Sequence, residues 1–284
     1  MKRTAILALA LLLVAGAAHS QTRTNRLKSI AATKSITIAY RADATPFSFT
    51  EGQEIGGFSI DVCKRVVASI GQQLKIEGLQ IKWHLVTLQD RFDAVARGQA
   101  DMECGSSTVT LTRMKQVDFS SYIYVESTGA LVKANSGVRR FSELEGRRIG
   151  VVVGTTNEAA VHAQLKRRLL NSTVVAFKTR EEAFGAFEGG KVDAFASDKM
   201  LLLGAASKAK DPKALFLLPD ELSFEPYGIV LPRGDSDFRL AVNTGLARLY
   251  ESGEIEKIFG RWFGAFGDPG PITKIMYILG SIPE

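Results

Sequence analysis

Several classes of protein are excluded by what this chain has little of. Its 284 residues include only two cysteines and three histidines. That is too few for a small scaffold built on several disulfides. His19 lies in an N-terminal leader, and His84 and His162 have no ligand partners at useful spacing. No metal and no cofactor are therefore expected. After Ala15 no uncharged apolar stretch approaches the ~20 residues that a membrane-spanning helix needs. No low-complexity linker interrupts the chain. The excess of positive charge is small as well, +6 from 36 Lys and Arg against 30 Asp and Glu. The arginine pairs at 139–140, 147–148 and 167–168 are scattered among acidic residues, whereas a nucleic-acid binder gathers its cations on one face with interleaved aromatics. These pairs read as solvated surface, and no nucleic-acid partner is expected.

What is present begins with "MKRTAILALALLLVAGAAHSQ". A basic start, an apolar run from Ala5 to Ala15 and small residues at Ala18 and Ser20 make a secretory signal. Cleavage is expected after Ser20, with a site one to three residues earlier as the rival. No cysteine follows the run, so no lipid anchor is expected. The mature chain of about 264 residues carries a formal charge of about +4 and suits two lobes better than one core. In an oxidising compartment Cys63 and Cys104 are permitted to pair. From the residues alone, a bridge between the first helix and a strand end stands level with two buried thiols packed as small hydrophobes.

Apolar alternation at "ITIAY" and "QIKWHLVTL" predicts strands, and helical periodicity follows at 61–71 and 90–97. The α/β rhythm continues through strands at "RRIGVVVG" and "STVVAF" and helices at "NEAAVHAQLKRRLL", "EEAFGAFEGG" and "DKMLLLGAASKAK". It closes with the strand "YGIVLP" and two helices, the first presenting Phe238, Val242, Leu246 and Leu249 on one face. A weak internal echo stands out. "DRFDAVARGQADMECGSS" and "EEAFGAFEGGKVDAFASD" both read helix, G-x-x-D turn, strand. Five residues beyond each turn aspartate stand Ser106 and Asp198, each at the carboxyl end of a strand, where ligands bind in open α/β sheets. Facing lobes would bring the two across a cleft.

The run "DMECGSSTVTLTRMKQVDFS" joins a strand end to hydroxyls and then to an arginine that nothing nearby neutralises. A planar guanidinium at Arg113, with Ser106 and Thr108 beside it, suits a bound carboxylate. The competing reading is a surface residue beside Lys115. In "VVVGTTNEAAV" a strand runs into a helix amino terminus, where anions settle. The single glycine and the missing lysine argue against a phosphate loop. Thr155 and Thr156 are assigned to a carboxylate or to orienting a ligand between lobes, with Thr156 as a plain helix cap in the alternative. Asp198 is expected to hold an ammonium, or to cap the helix that starts at Lys199. Arg41, Arg91 and Arg180, if gathered in one pocket, would repel unless an anion joined them. Each alone could equally be a solvated surface residue. Phe47, ranked above Phe49, is expected to wall the cleft, the alternative being ordinary core.

The segment "GGFSIDVCKRVVASI" resembles the signature of the family 3 bacterial extracellular solute-binding proteins, with Gly57, Phe58, Ile60 and Asp61 matching and Ser59 in place of the first acid. The resemblance continues through "IAYRADATPFSF", "ECGSST", "VGTTNEAAV", "GGKVDAFASD", "EPYGIVLPRGD" and "GEIEKIFGRWF", and is strongest towards glutamate/aspartate-binding proteins. It implies an α/β, two-lobed type II periplasmic-binding-protein-like fold, with two α/β domains joined by a two-strand hinge. The lobes would be 21–131 with 227–284, and 132–226. It further implies a monomeric periplasmic receptor that delivers an acidic amino acid to an inner-membrane ABC permease. Arg113 would hold the α-carboxylate, Asp198 the ammonium, and Arg41 and Arg91, with Arg180 carried over more weakly, the second carboxylate. Leu88 stands where a small hydroxyl is expected. The rival readings are a secreted enzyme of the cyclohexadienyl dehydratase kind, with Glu103 as acid–base residue, and a sensory receptor.

Overall fold

The structure is a computed structural model and describes residues 25–283; the leader assigned to residues 1–20 lies outside them. The chain opens with α1 (Arg26–Thr33) and β1 (Ser35–Arg41). A small antiparallel sheet follows, made of β2 (Asp43–Ala44), β3 (Ser48–Glu51) and β4 (Glu54–Gly56). Next come α2 (Phe58–Gln73), β5 (Gln80–Val86), α3 (Arg91–Ala96), β6 (Met102–Glu103) and β7 (Asp118–Glu126). The path then crosses to β8 (Thr128–Lys133), β9 (Arg148–Val152), α4 (Thr156–Arg168), β10 (Thr173–Phe177) and α5 (Arg180–Glu188). It continues through β11 (Ala194–Asp198), α6 (Lys199–Ala206) and β12 (Leu215–Leu217), and returns by β13 (Glu225–Leu231) to α7 (Ser236–Glu251), α8 (Glu254–Phe263) and α9 (Pro271–Gly280). Of these, α9 lies beyond the two closing helices expected.

Two five-stranded sheets result, with orders β5-β1-β6-β13-β7 and β10-β9-β11-β8-β12. They correspond strand for strand. In each, three parallel strands are followed by two antiparallel ones. The changeover from one sheet to the other falls at Ser127, because β8 pairs with β11 and β12 from Thr128 onward.

Each sheet is buried on both faces, as mixed sheets flanked by helices are. One face of the first sheet carries Ile36, Ile38, Val62, Val66 and Ile70 with Phe238, Val242, Leu246 and Leu249, so the stripe expected on α7 does face the core. The opposite face packs Ala39, Val86, Val95, Val117 and Val230. The second sheet sits between a cluster containing Ile149, Val151, Val161 and Leu165 and another containing Val152, Phe187, Phe195 and Leu202. Cys63 and Cys104 are joined by a disulfide that ties α2 to the end of β6.

The echoed turns are one device used twice. Gly98 and Gly190 take left-handed φ of +74° and +71°, where a side chain would be strained. Asp101 then exchanges two bonds with the neighbouring strand, its backbone N–H donating to the Thr37 carbonyl (2.8 Å) and its Oδ2 accepting from the Thr37 N–H (2.7 Å). Asp193 does the same with Arg148, at 2.8 Å for both bonds.

Candidate functional site

Short β6 ends at Glu103, and the chain runs on through Gly105, Ser106, Ser107 and Thr108 as an extended loop laid against β13. The Gly228 N–H donates to the Ser107 carbonyl (3.2 Å) and the Val109 N–H to the Pro226 carbonyl (2.8 Å). Ser59, the residue that departs from the motif pattern, donates its hydroxyl to the Gly105 carbonyl (2.7 Å) and holds the loop from the other side. A Cβ at Gly105 would stand 2.1 Å from Glu103 Oε1, so a larger residue there would push the Glu103 carboxylate aside.

Around this loop the arginines do converge. Arg41 is 1% exposed and Arg91 3%, a burial that guanidinium groups accept only with partners. Arg91 Nε donates to Ser107 Oγ (3.0 Å), another of its nitrogens donates to the Leu88 carbonyl, and its guanidinium lies 4.3 Å from the Phe92 ring centre. Ser107 in turn donates to Glu103 Oε2 (2.8 Å). Arg113 extends from a short 3-10 turn, donates to the Thr108 carbonyl (2.7 Å) and lies 5.1 Å from the same ring. Burial pushes Arg41 down to about 10, helped by Arg180 and opposed by Asp43. Burial and then Arg41 push Arg91 well down, while Glu103 opposes the shift. Glu103 is held above the usual carboxylate range by burial, against the pull of Arg91.

The opposite pole is acidic. Asp198 ends β11 and is 4% exposed. Its Oδ1 accepts from Asn157 Nδ2 (2.9 Å), and it makes no side-chain cap to α6, whose Met200 N–H is taken by Glu126 instead. Burial and then the charge of Glu225 raise Asp198 above its usual range. Buried Tyr227, whose ionisation Asp198 opposes, lies beside it.

Cross-lobe contacts complete the arrangement. Thr108 Oγ1 and Thr156 Oγ1 are 3.4 Å apart, Gln89 Nε2 donates to the Lys178 carbonyl (2.8 Å), and Arg180 Nη1 reaches Asp43 Oδ2 at 3.4 Å. The Leu88 side chain packs against the second lobe's cluster of Val152, Ala183 and Phe187.

Two expectations need correcting. Thr155, not Thr156, is the helix cap. Its hydroxyl accepts from the Glu158 N–H (3.1 Å) and donates to the Val152 carbonyl (2.7 Å), so it is engaged in holding the turn, while Thr156 is the one that faces the other lobe. Phe47 is core. It is fully buried, with the rings of Tyr124, Tyr227 and Phe263 centred 5.0, 5.1 and 5.5 Å away. Phe49 packs on Trp262 instead, at 5.6 Å. Asp43, Ser107, Asn157, Glu225 and Tyr227 belong to the site's surroundings and were not foreseen. The alternation of "EPYG" along β13, and Asp43 two residues beyond Arg41, were the signals available.

Several buried polar atoms here have no protein partner: Arg41 Nη1, Glu103 Oε1, Ser106 Oγ, Glu225 Oε2 and Tyr227 Oη. Such buried atoms call for a partner, and these include both donors and acceptors.

The model of the bacterial extracellular solute-binding proteins, family 3, matches residues 36–265, from β1 almost to α9. The chain belongs to that family. It is 36% identical to the L-glutamate/L-aspartate-binding protein of Pseudomonas aeruginosa, over 84% of this chain and 80% of that one. It is 32% identical to the glutamate/aspartate import solute-binding protein of Escherichia coli (strain K12), over 92% and 87%. Among solved structures it resembles an ancestral amino acid-binding protein described as a precursor of cyclohexadienyl dehydratase, with a TM-score of 0.72 and 26% identity over 84% of this chain and 99% of that one. The solved structure shares the fold of this chain, and all three are named as binding proteins or import solute-binding proteins. No helix among the described residues is long and apolar enough to cross a membrane.

Proposed function

We propose that the chain is the exported receptor of an ABC importer and binds L-glutamate or L-aspartate between its lobes, residues 25–127 with 225–283 and residues 128–224. The observation that carries this reading is the polarity of the cleft. Four guanidinium groups, of Arg41, Arg91, Arg113 and Arg180, lie within reach of one another's charge, and Arg113 and Arg180 also reach the charge of Asp198. Arg113, Ser106, Thr108 and Thr156 take the α-carboxylate, Asp198 takes the ammonium, and Arg41, Arg91 and Arg180 surround the second carboxylate. Glu103 serves as the buried counter-ion of Arg91 and Arg41 rather than as an acid–base group. The names of the glutamate/aspartate-binding relatives support the acidic ligand. A ligand that touches both lobes favours their closed arrangement by its differential contacts, and a permease can read that arrangement.

A thermal-shift panel tests this. A ligand at about a hundred times its dissociation constant stabilises by ~2.7 kcal/mol, so L-glutamate and L-aspartate should raise the melting temperature clearly, glutamine and asparagine less, and lysine and arginine not at all. A larger shift with a basic amino acid would overturn the acidic assignment. Release of an aromatic product from prephenate or arogenate would overturn the receptor reading itself.

A further inference from the structure

The amino-acid site explains why Arg41 is buried in the cleft, but it leaves Asp43 unexplained. Side chains two apart on an extended segment point the same way, and here the second is a carboxylate seated on the first. Arg41 Nε donates to Asp43 Oδ1 (2.8 Å) and Nη2 to Oδ2 (2.5 Å), a two-pronged pairing. Arg41 is 1% exposed on its side chain and Asp43 47%, so the acid approaches the arginine from the solvent side. From the other lobe Arg180, 12% exposed, reaches the same carboxylate at 3.4 Å. The two guanidinium groups together outweigh the burial that would push Asp43 up, and hold it below the usual carboxylate range.

This pairing presents to Arg41 the very group, in the fork geometry, that the second carboxylate of a glutamate would present. The remaining nitrogen of Arg41, Nη1, is buried without a protein partner on the opposite side. Asp43 and Arg180 also line a cavity of about 290 Å³, with Leu85, Leu88, Gln89 and Thr179.

The geometry points to Asp43 as a tethered competitor: it occupies Arg41, latches the lobes through Arg180, and yields its place only to a ligand that brings a second carboxylate of its own. The inference rests on the reading of the cleft as an amino-acid site and names what limits its specificity. A dicarboxylate must displace an internal anion, whereas an amide side chain has no second charge to place. The preference for glutamate over glutamine is therefore narrower than three arginines alone would set.

The test compares wild type with Asp43→Asn, and with Asp43→Ala in case the amide keeps a bond to Arg41, in calorimetric titrations against L-glutamate and L-glutamine. Losing one partly exposed competing charge should tighten glutamate by roughly three- to tenfold and leave glutamine little changed. Small-angle scattering without added amino acid should give Asp43→Asn and Arg180→Gln a larger radius of gyration than wild type, and the double variant no larger than either, because both changes break one contact. Weaker glutamate binding in the Asp43 variants, equal changes for the two ligands, or an unchanged radius would overturn the inference. If no amino acid binds any of the proteins, the amino-acid reading of the cleft falls, and the radius alone decides whether Asp43 is a latch.

Discussion

Asp101 and Asp193 occupy the same point of the same motif, one in each lobe, and make the same pair of backbone bonds to a neighbouring strand. Their carboxylates are nevertheless shifted in opposite directions. Asp101 is 13% exposed, its ion pair with Arg26 is loose at 3.4 Å, and burial raises it. Asp193 is 30% exposed and is held by both Nε and Nη2 of Arg148, at 3.0 and 2.9 Å, and these bonds lower it. Backbone geometry repeats between the lobes, whereas side-chain environment does not. The same divergence appears at the ligand-facing ends. In the first lobe the strand stops after two residues and releases a loop of hydroxyls braced by Cys63–Cys104, Ser59 and β13. In the second, the strand runs five residues to Asp198 and passes straight into a helix. The repeated frame thus ends in a loop of hydroxyls in one lobe and in an acid in the other, and a zwitterion needs partners of both kinds.

The largest effect should come from removing one pole at a time. Truncating one member of a buried, hydrogen-bonded charge pair costs ~2 to 5 kcal/mol, so Arg113→Ala and Asp198→Ala should each weaken glutamate binding by about two decades or more in calorimetry, with circular dichroism unchanged. Near-wild-type affinity in one of them would make the site the property of a single lobe. Next in size is the disulfide, which only the first lobe has. Replacing both cysteines by serine removes a 41-residue link, and loss of such a native bridge costs roughly 2 to 5 kcal/mol. Hydrogen exchange should quicken around α2 and residues 104–108 while β9, β10 and β11 keep their protection. Equal loosening of both sheets would show that the bridge supports the whole molecule rather than one lobe.

The smallest effect separates the paired aspartates by pH. Asp193, lowered in the folded state, contributes stability that is present above its unfolded pKa and is lost as pH falls through the folded value. Asp101, raised in the folded state, binds its proton more tightly when folded. Its contribution makes stability fall as pH rises from the unfolded to the folded value. Relative to wild type, Asp101→Asn should therefore remove a downward slope of stability with pH just above the ordinary carboxylate range, and Asp193→Asn an upward slope just below it. Urea denaturation from mildly to strongly acidic pH checks both signs, and slopes of the same sign would mean that the two environments are alike after all.

The α/β rhythm and the paired turns were legible in the sequence, because periodicity and turn residues are local signals, whereas the gathering of Arg41, Arg91 and Arg180 was implied only by the family resemblance. Features that depend on which layer receives a side chain were not legible. The aromatic run around Phe47 reads the same whether it faces a cleft or a core. A Thr-Thr pair at a helix start does not say which residue caps and which faces across. The last helix was missed because "PITKIMYILG" has no polar face to give it a period: Ile272, Ile275, Ile278 and Leu279 are all exposed. Asp43 carried no signal along the chain, since its meaning depends on Arg180, 137 positions away.

The order in which the chain is made gives β13 a particular importance. The last strand in sequence sits second from the edge of the first sheet, between β6 and β7, and β7 has no other neighbour there. The second sheet is complete once Leu217 has been made. Until Glu225–Leu231 arrives, the first sheet remains in two parts, and the Ser107–Val109 loop lacks the strand that fixes it. Such long-range closure is slow compared with local contacts. A shortened chain could thus form a sound second lobe and still be unable to hold a ligand, so that the capacity to bind becomes a check that synthesis has reached its end.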